Sequence, residues 1–342
     1  MATLIATEGS SPRATGSRMW VDEAGRILGS VTIGGCVDAR VIEASARALE
    51  QDTPALLSMA LGDEDAWAIG LTCAGTIEVL VEPVDAGAAD DPVTAALGMA
   101  AEEVRAGRAA VIVAPLSGVP RRLVVTSAGA TGTLGDPSLD AAARDEAVQL
   151  LPAGASGVRA VVAGGGRHRL YFERHAPPLT LVVFGATHVA MPLVELGRVL
   201  GLRTVVVDGR DRFATRERFP AADDLLVGMP SELAERMPLG RESLVVLLSH
   251  DYKYDLPVLK AVLASDAAYV GVLGSRRRGR ALLDFLAGEG VPPEQLARVR
   301  IPVGLDIGGT TPEEIALSVL AEAVAVHHGR SGGPMRERGE PA

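Results

Sequence analysis

Cysteine is nearly absent from this chain: Cys36 and Cys73 are the only two in 342 residues. That excludes a disulfide-rich secreted scaffold and any Cys-rich zinc site. Long apolar runs are absent as well. No stretch reaches the length that spans a bilayer. The start, Met1 to Gly9, lacks a basic segment followed by a long apolar one, so it does not read as a signal peptide. These absences lead us to expect a cytoplasmic protein with no membrane partner. Positive charge is in deficit, with a net charge of -10, so no global basic field exists to draw nucleic acid. Any anionic ligand has to be met by a local cluster of donors. Lysine is scarce too, Lys253 and Lys260 being the only two, which we read as compositional bias rather than function.

What is present is apolar and patterned. Hydrophobic residues make up 48% of the chain, enough to fill the cores of two domains. The expected boundaries are an amino-terminal α+β domain over 1–176, a Rossmann-like domain over 179–330 and a disordered tail over 331–342. Short β-like runs in the first part include Thr76–Val81, Ala110–Leu116, Arg122–Thr126, Val158–Ala163 and Arg169–Glu173, with helical stretches at Thr94–Ala106 and Ser138–Leu151. The consecutive prolines Pro177 and Pro178 mark a linker, since neither continues a helix or an inner strand. From Leu179 one unit repeats: a continuous apolar run, a turn and an amphipathic helix. The runs are Leu181–Phe184, Thr204–Val207, Leu225–Val227, Leu244–Leu248 and Tyr269–Leu273, and helical segments include His188–Leu200, Leu256–Ala264 and Arg276–Ala287. Continuous hydrophobicity signals strands buried on both faces, and the alternation with helices predicts a doubly wound parallel sheet. Ligands in such sheets bind beyond the carboxyl ends of the strands, so candidate residues are sought just after each run.

After the first run comes Gly185-Ala186-Thr187-His188-Val189-Ala190, in the place of the dinucleotide fingerprint G-x-G-x-x-G/A. Its central Gly is replaced by Thr187, which would crowd a pyrophosphate, so a Rossmann sheet without a dinucleotide stands beside an NAD-binding one. Asp208, closing the second run, lies at the distance of a ribose-binding carboxylate. After the fourth run, Ser249-His250-Asp251-Tyr252-Lys253-Tyr254-Asp255 gathers ionisable side chains either as a crevice or as a solvated loop capping a helix near Leu256. Gly274-Ser275-Arg276-Arg277-Arg278 offers backbone N–H groups and guanidinium forks for an anion, or a basic first turn facing water. In Gly304–Thr311, Thr311 with Glu314 forms a capping box with Pro312 behind it. The glycines around Asp306 imply a close backbone approach to a ligand or to another chain segment.

The amino-terminal part carries a small-residue turn with Arg13, then Gly34-Gly35-Cys36 ahead of a helix whose Val37, Val41, Ala44 and Ala48 share a face. A helix amino terminus lowers a thiol pKa and favours the thiolate. Cys73 also sits in a Gly-flanked turn. Each thiol alone reads as an inert small core residue. Together they are candidates to handle sulfur, touch a soft metal or form a redox pair.

These segments in this order, Glu8–Arg13 with Gly16 to Met19, Gly34–Asp38, the Cys73 turn, Gly185–Ala190, Val207–Arg210, His250–Asp255, Tyr269–Arg277 and Pro302–Glu314, resemble the XdhC/CoxI family, accessory proteins of molybdenum hydroxylases. The resemblance implies a protein that binds the molybdenum cofactor in its molybdopterin form, supports its sulfuration and inserts it into an apo hydroxylase of the xanthine dehydrogenase or CO dehydrogenase type. It implies a cysteine desulfurase as sulfur donor and a homodimer. The cofactor-binding candidates it collects are Arg13, Gly34, Gly35, Cys36, Cys73, Gly185, Thr187, His188, Asp208, His250, Asp251, Lys253, Gly274, Ser275, Arg276, Arg277 and Asp306. No metal cage of protein ligands is expected, only a soft contact from Cys36 to the cofactor's molybdenum. The sequence departs from the family where Thr187 and Ala74 stand in place of Gly, and only Ala2–Ala6 stands where a helix and first strand are expected, so a shortened start is expected.

A carrier needs no general acid or base, and no catalytic triad is visible. Three other readings stay open: an NAD(P)-dependent oxidoreductase, suggested by fold analogy alone; a thiol-based sulfur-transfer enzyme; and a scaffold protein that binds the hydroxylase without cofactor.

Overall fold

A computed structural model describes every residue except 10–13, 32–35, 62–74, 89, 250 and 338–342. The chain divides between Pro177 and Pro178 into two compact units.

The first unit holds two five-stranded antiparallel sheets, and the chain builds both by the same path. Strands β1 (Ala2–Gly9), β2 (Arg18–Val21) and β3 (Ile27–Gly29), helix α1 (Cys36–Gln51), and strands β4 (Ala55–Leu61) and β5 (Gly75–Val81) give the order β3-β2-β1-β5-β4. Helix α2 (Pro92–Arg105) follows. Strands β6 (Ala110–Pro115), β7 (Arg122–Thr126) and β8 (Gly129–Thr133), helix α3 (Pro137–Leu150), and strands β9 (Gly157–Ala163) and β10 (Gly166–His175) then give β8-β7-β6-β10-β9. The connectivity is the same strand for strand.

Register extends the correspondence to residues. Thr3 lies opposite both Arg18 and Leu80. In the second sheet Ala114 lies opposite Tyr171, and the Val113–Leu123 pair puts Arg122 one step further along. Arg18 thus matches Arg122, Leu80 matches Tyr171, and Glu82 matches Glu173. The matched residues meet across the sheets. Arg18 pairs with Glu173 at 2.5 Å and Arg122 pairs with Glu82 at 2.6 Å, while Ile5, Leu80, Ala114, Leu116 and Tyr171 form one apolar cluster. Reciprocal pairing of this kind is what a two-fold between like modules produces.

The helices form where cap and periodicity agree. Val41, Ala44 and Ala48 of α1 recur at helical spacing and are buried against Leu4 and Val79. Asp91 and Asp136 cap α2 and α3 by accepting backbone N–H bonds, each ahead of a proline in the first turn.

The second unit is a parallel sheet in the order β13-β12-β11-β14-β15-β16. Its elements in chain order are β11 (Thr180–Phe184), α4 (Ala190–Val199), β12 (Arg203–Asp208), β13 (Asp224–Val227), α5 (Pro230–Arg236), β14 (Ser243–Leu247), α6 (Tyr252–Leu263), β15 (Tyr269–Val272), α7 (Arg276–Gly288), α8 (Pro293–Leu296), β16 (Val299–Arg300) and α9 (Pro312–His327). Successive strand residues point to opposite faces, so two cores result. Leu181, Val183, Leu244 and Val246 pack with α4 and α9. Val182, Val205, Val245 and Leu247 pack with α6 and α7. The expected α/β class, a Rossmann-like doubly wound sheet preceded by an α+β part, is what forms. A single 3₁₀ turn, Met335–Glu337, follows α9. Among the described residues no helix is long and apolar enough to cross a membrane.

Candidate functional site

The strand order of the second unit reverses direction between β11 and β14, and ligands of such sheets bind outside the carboxyl ends at that point. A cavity of about 550 Å³ opens there, within the size range of small-molecule sites. Leu247, Met229, Pro230, Tyr254 and Val258 give it an apolar wall. Gly185, Thr187, Asp208, Arg210, Ser249, Asp251 and Asp255 give it a polar rim.

Asp208 ends β12 and is only 4% exposed. Its carboxylate is already engaged. Oδ2 accepts from the Ala186 N–H at 2.7 Å and from Arg210 Nη2 at 2.8 Å; Oδ1 accepts from Arg210 Nε and from its backbone N–H, both at 2.9 Å. Burial raises the Asp208 pKa, but the hydrogen bonds from the Arg210 side chain, from Ala186 N–H and from Arg210 N–H outweigh it and hold the group below its ordinary value. The same pairing raises Arg210. The Arg210 guanidinium also lies 4.0 Å over the Phe213 ring.

The loop after β11 is likewise turned inward. Gly185 N–H donates to Val207 O at 2.8 Å, and Thr187 N–H donates to Gly185 O at 2.9 Å. With Ala186 bound to Asp208, three successive amides that would greet a pyrophosphate are occupied. Gly185 has φ +107°, and a Cβ there would stand 3.0 Å from Ser249 N, so the glycine serves the approach of β14. Thr187 Oγ1 is buried without a hydrogen-bond partner among the described residues. Helix α4 begins beside it with no side-chain cap.

The helix after β14 begins earlier than Leu256, and Tyr252 to Asp255 of the polar run form its first turn. Asp251 caps α6 by accepting from Lys253 N–H at 2.9 Å, which starts the helix at Tyr252. Asp255, 2% exposed, takes the Ser249 hydroxyl on one oxygen and Arg278 Nη2 at 2.7 Å on the other. Arg278 lies 4.6 Å over the Tyr252 ring.

The structure therefore gathers Gly185, Thr187, Asp208 and Asp251 of the expected residues around one cavity. His188 and Lys253 are exposed beside it, and neither lines it. Ser275 caps α7 by accepting from Arg278 N–H. Arg276 and Arg277 are exposed on that first turn, and Gly274 packs near Arg278 and Ile301. Asp306 is exposed; Gly304 and Gly309 instead meet α9, where a Cβ on Gly304 would collide with Ser318 Oγ and one on Gly309 would stand 2.6 Å from Glu314 Cβ. Of the two options for that loop, the approach to a chain segment is the one present. Arg13, Gly34, Gly35, Cys73 and His250 lie outside the described residues, as does the side chain of Cys36. The segment carrying Cys73 is bordered by Leu61 and Gly75, which lie opposite one another at one end of the first sheet. Among the described residues no group of three or more His, Cys, Asp or Glu is placed to hold a metal.

Sequence reading singled out neither Arg210 nor Phe213, and it named Ser249 and Arg278 only as members of their motifs. The signal for Arg210 was in plain view, a guanidinium two residues beyond a strand-end carboxylate.

The family comparison supplies the identification. The XdhC Rossmann domain matches residues 181–323, and the XdhC and CoxI family matches residues 1–60. The chain belongs to the XdhC and CoxI family. It is similar to a Bacillus subtilis protein described as a probable xanthine dehydrogenase subunit, 28% identical over 95% of this chain and 92% of that one. A shorter likeness, 36% identical over 26% of this chain and 28% of the other, is to "Molybdenum cofactor insertion chaperone PaoD" of Escherichia coli. A crystal structure described as a xanthine dehydrogenase from Bacillus halodurans covers 98% of this chain and 93% of its own, with 26% identity and a TM-score of 0.73.

Proposed function

We propose that this family member binds the molybdenum cofactor, keeps it while its terminal sulfur is installed, and passes it to an apo molybdenum hydroxylase. The observation that carries the reading is the likeness along nearly the whole of both chains to a protein named as a xanthine dehydrogenase subunit. The partial likeness to a protein named as a cofactor insertion chaperone supports the direction of transfer. The second unit's cavity supports it chemically: among the described residues the Thr187 hydroxyl and the Arg210 edge through Nη1 have no bond, which suits a phosphate-bearing pterin cargo. Cys36 and Cys73 are the thiols proposed to meet the soft molybdenum–sulfur centre. In this reading the partners are the apo hydroxylase, a cysteine desulfurase and a second copy of the chain, and the work is done in the cytoplasm.

The oxidoreductase reading draws on the strand order. It is weakened by the occupied loop amides and by Asp208, whose acceptor sites Arg210 already fills.

The test is to purify the chain after co-expression with cofactor biosynthesis and to measure bound molybdenum and pterin. Stoichiometric cofactor on the parent, and little on a Cys36→Ala, Arg210→Ala variant, is the expected result. Retention of a nicotinamide nucleotide with no molybdenum would overturn the reading. Cys36→Ser separates holding from sulfur transfer: bound cofactor with failed hydroxylase activation assigns the thiol to sulfuration.

A further inference from the structure

We propose that the cavity of the second unit takes a flat heterocycle bearing a phosphate, gripped through Arg210 and Thr187, and that the Arg210–Asp208 pair shuts out recognition of a ribose diol.

Three observations carry it. The first is saturation. A Rossmann site reads ribose through the carboxylate at the end of its second strand. Here both Asp208 oxygens accept two bonds each from Ala186 and Arg210. A carboxylate has about four lone-pair sites, so none remains for a diol. The second is the fork left over. Arginine has five N–H donors, and Arg210 spends Nε and one Nη2 hydrogen on Asp208. The opposite edge, Nη1 with the second Nη2 hydrogen, has no bond among the described residues, and the side chain is 55% exposed at the cavity rim. That edge has the geometry for bidentate contact with a phosphate. The third is the orphan. Thr187 Oγ1 is buried at the same rim with no partner among the described residues, and buried hydroxyls rarely stay unpaired. A phosphate oxygen would accept from it. The apolar wall of Leu247, Met229, Pro230 and Val258 with the Tyr254 ring offers a flat group the surface it needs.

The proposal deepens the carrier reading by naming the end of the cargo held here. A chain that carries molybdenum and pterin but fails the following test would sink this proposal alone.

The test uses the full chain and titration calorimetry with AMP, GMP, CMP and the phosphate ester of hydroxymethylpterin. Each is set against its dephosphorylated form, and each nucleotide against its dideoxy form lacking both ribose hydroxyls. Removing the phosphate is expected to weaken binding about tenfold or more, the size of a lost charged hydrogen-bond pair. Removing the diol is expected to change it by less than about twofold. In Arg210→Ala the phosphate preference disappears and a diol preference emerges, because Asp208 is set free. Arg210→Ala leaves a buried carboxylate unpaired and is checked for folding, so a second variant is included. Thr187→Val removes the orphan hydroxyl at nearly constant shape: the empty protein melts higher, yet binds the phosphates more weakly. The proposal is overturned by absence of binding of every phosphate tested. A wild-type preference for the diol, or full phosphate affinity in Arg210→Ala, overturns it equally.

Discussion

Breaking the Arg122–Glu82 pair should cost the first unit a large part of its stability. The two side chains are 6% and 2% exposed and meet at 2.6 Å, while Arg122 Nη1 also donates to Arg121 O at 2.9 Å. Replacing Arg122 by Met keeps the bulk but strands Glu82 as a buried charge. Removing one partner of a buried pair costs about 3–5 kcal/mol, against a typical total of about 5–15 kcal/mol for a domain. Replacing both, as Arg122→Met with Glu82→Leu, removes the stranded charge and should recover most of the loss. The matched pair Arg18–Glu173 is less buried, with side chains 22% and 10% exposed, so Arg18→Met should cost less. The assay is urea unfolding followed by tryptophan fluorescence. Both tryptophans, Trp20 and Trp67, lie before Pro178, so the signal reports the first unit alone. The reasoning is refuted if Arg122→Met costs under about 1 kcal/mol, or if the double variant is no more stable than either single one.

Three more outcomes follow from the second unit. The Asp208 pKa is lowered in the fold, so its charge stabilises the folded chain fully above the unfolded value of about 4 and loses that effect as pH falls through the lower folded value. The stability gap between the parent and Asp208→Asn should therefore be about 1–2 kcal/mol at neutral pH and close below about pH 4; a gap independent of pH would contradict the carboxylate's pairing. Gly185→Ala should destabilise by about 2–3 kcal/mol, because its φ is +107° and the new Cβ would press on the Ser249 backbone, whereas Gly240→Ala, with open space around it, should be near neutral. Tyr269→Phe should cost about 1 kcal/mol or more, since its hydroxyl donates to Glu322 at 2.5 Å and Glu322 also holds Gly304 N–H; thermal melts would show it.

Much of the second unit was legible because its signals are local. The run Leu244–Leu248 predicts a strand buried on both faces, and β14 lies inside the sheet between β11 and β15. Thr311 and Glu314 predict a capping box, and both of its hydrogen bonds are present. Other elements left no local trace. Strand β8, Gly-Ala-Thr-Gly-Thr, is exposed at every position, so no apolar alternation marks it. Helix α5 has seven residues and strand β16 two, too few to show a period.

The candidate site divides the same way. The positions Gly185, Thr187, Asp208 and Asp251 follow from a rule about where strands end, and periodicity locates those ends. That Asp208 is filled by Arg210, and that Arg278 rather than Arg276 or Arg277 turns toward a carboxylate, depends on side-chain directions chosen by packing. By itself the sequence determined the longer apolar strands and helices, the capping box at Thr311 and the class of the carboxyl-terminal sheet, since each rests on residues within a few positions of one another. Tertiary structure alone decided the order of the strands, the repeated five-stranded module and the meeting of Arg18 with Glu173. Those contacts join residues as many as 155 positions apart, and only the burial of the whole fold selects them.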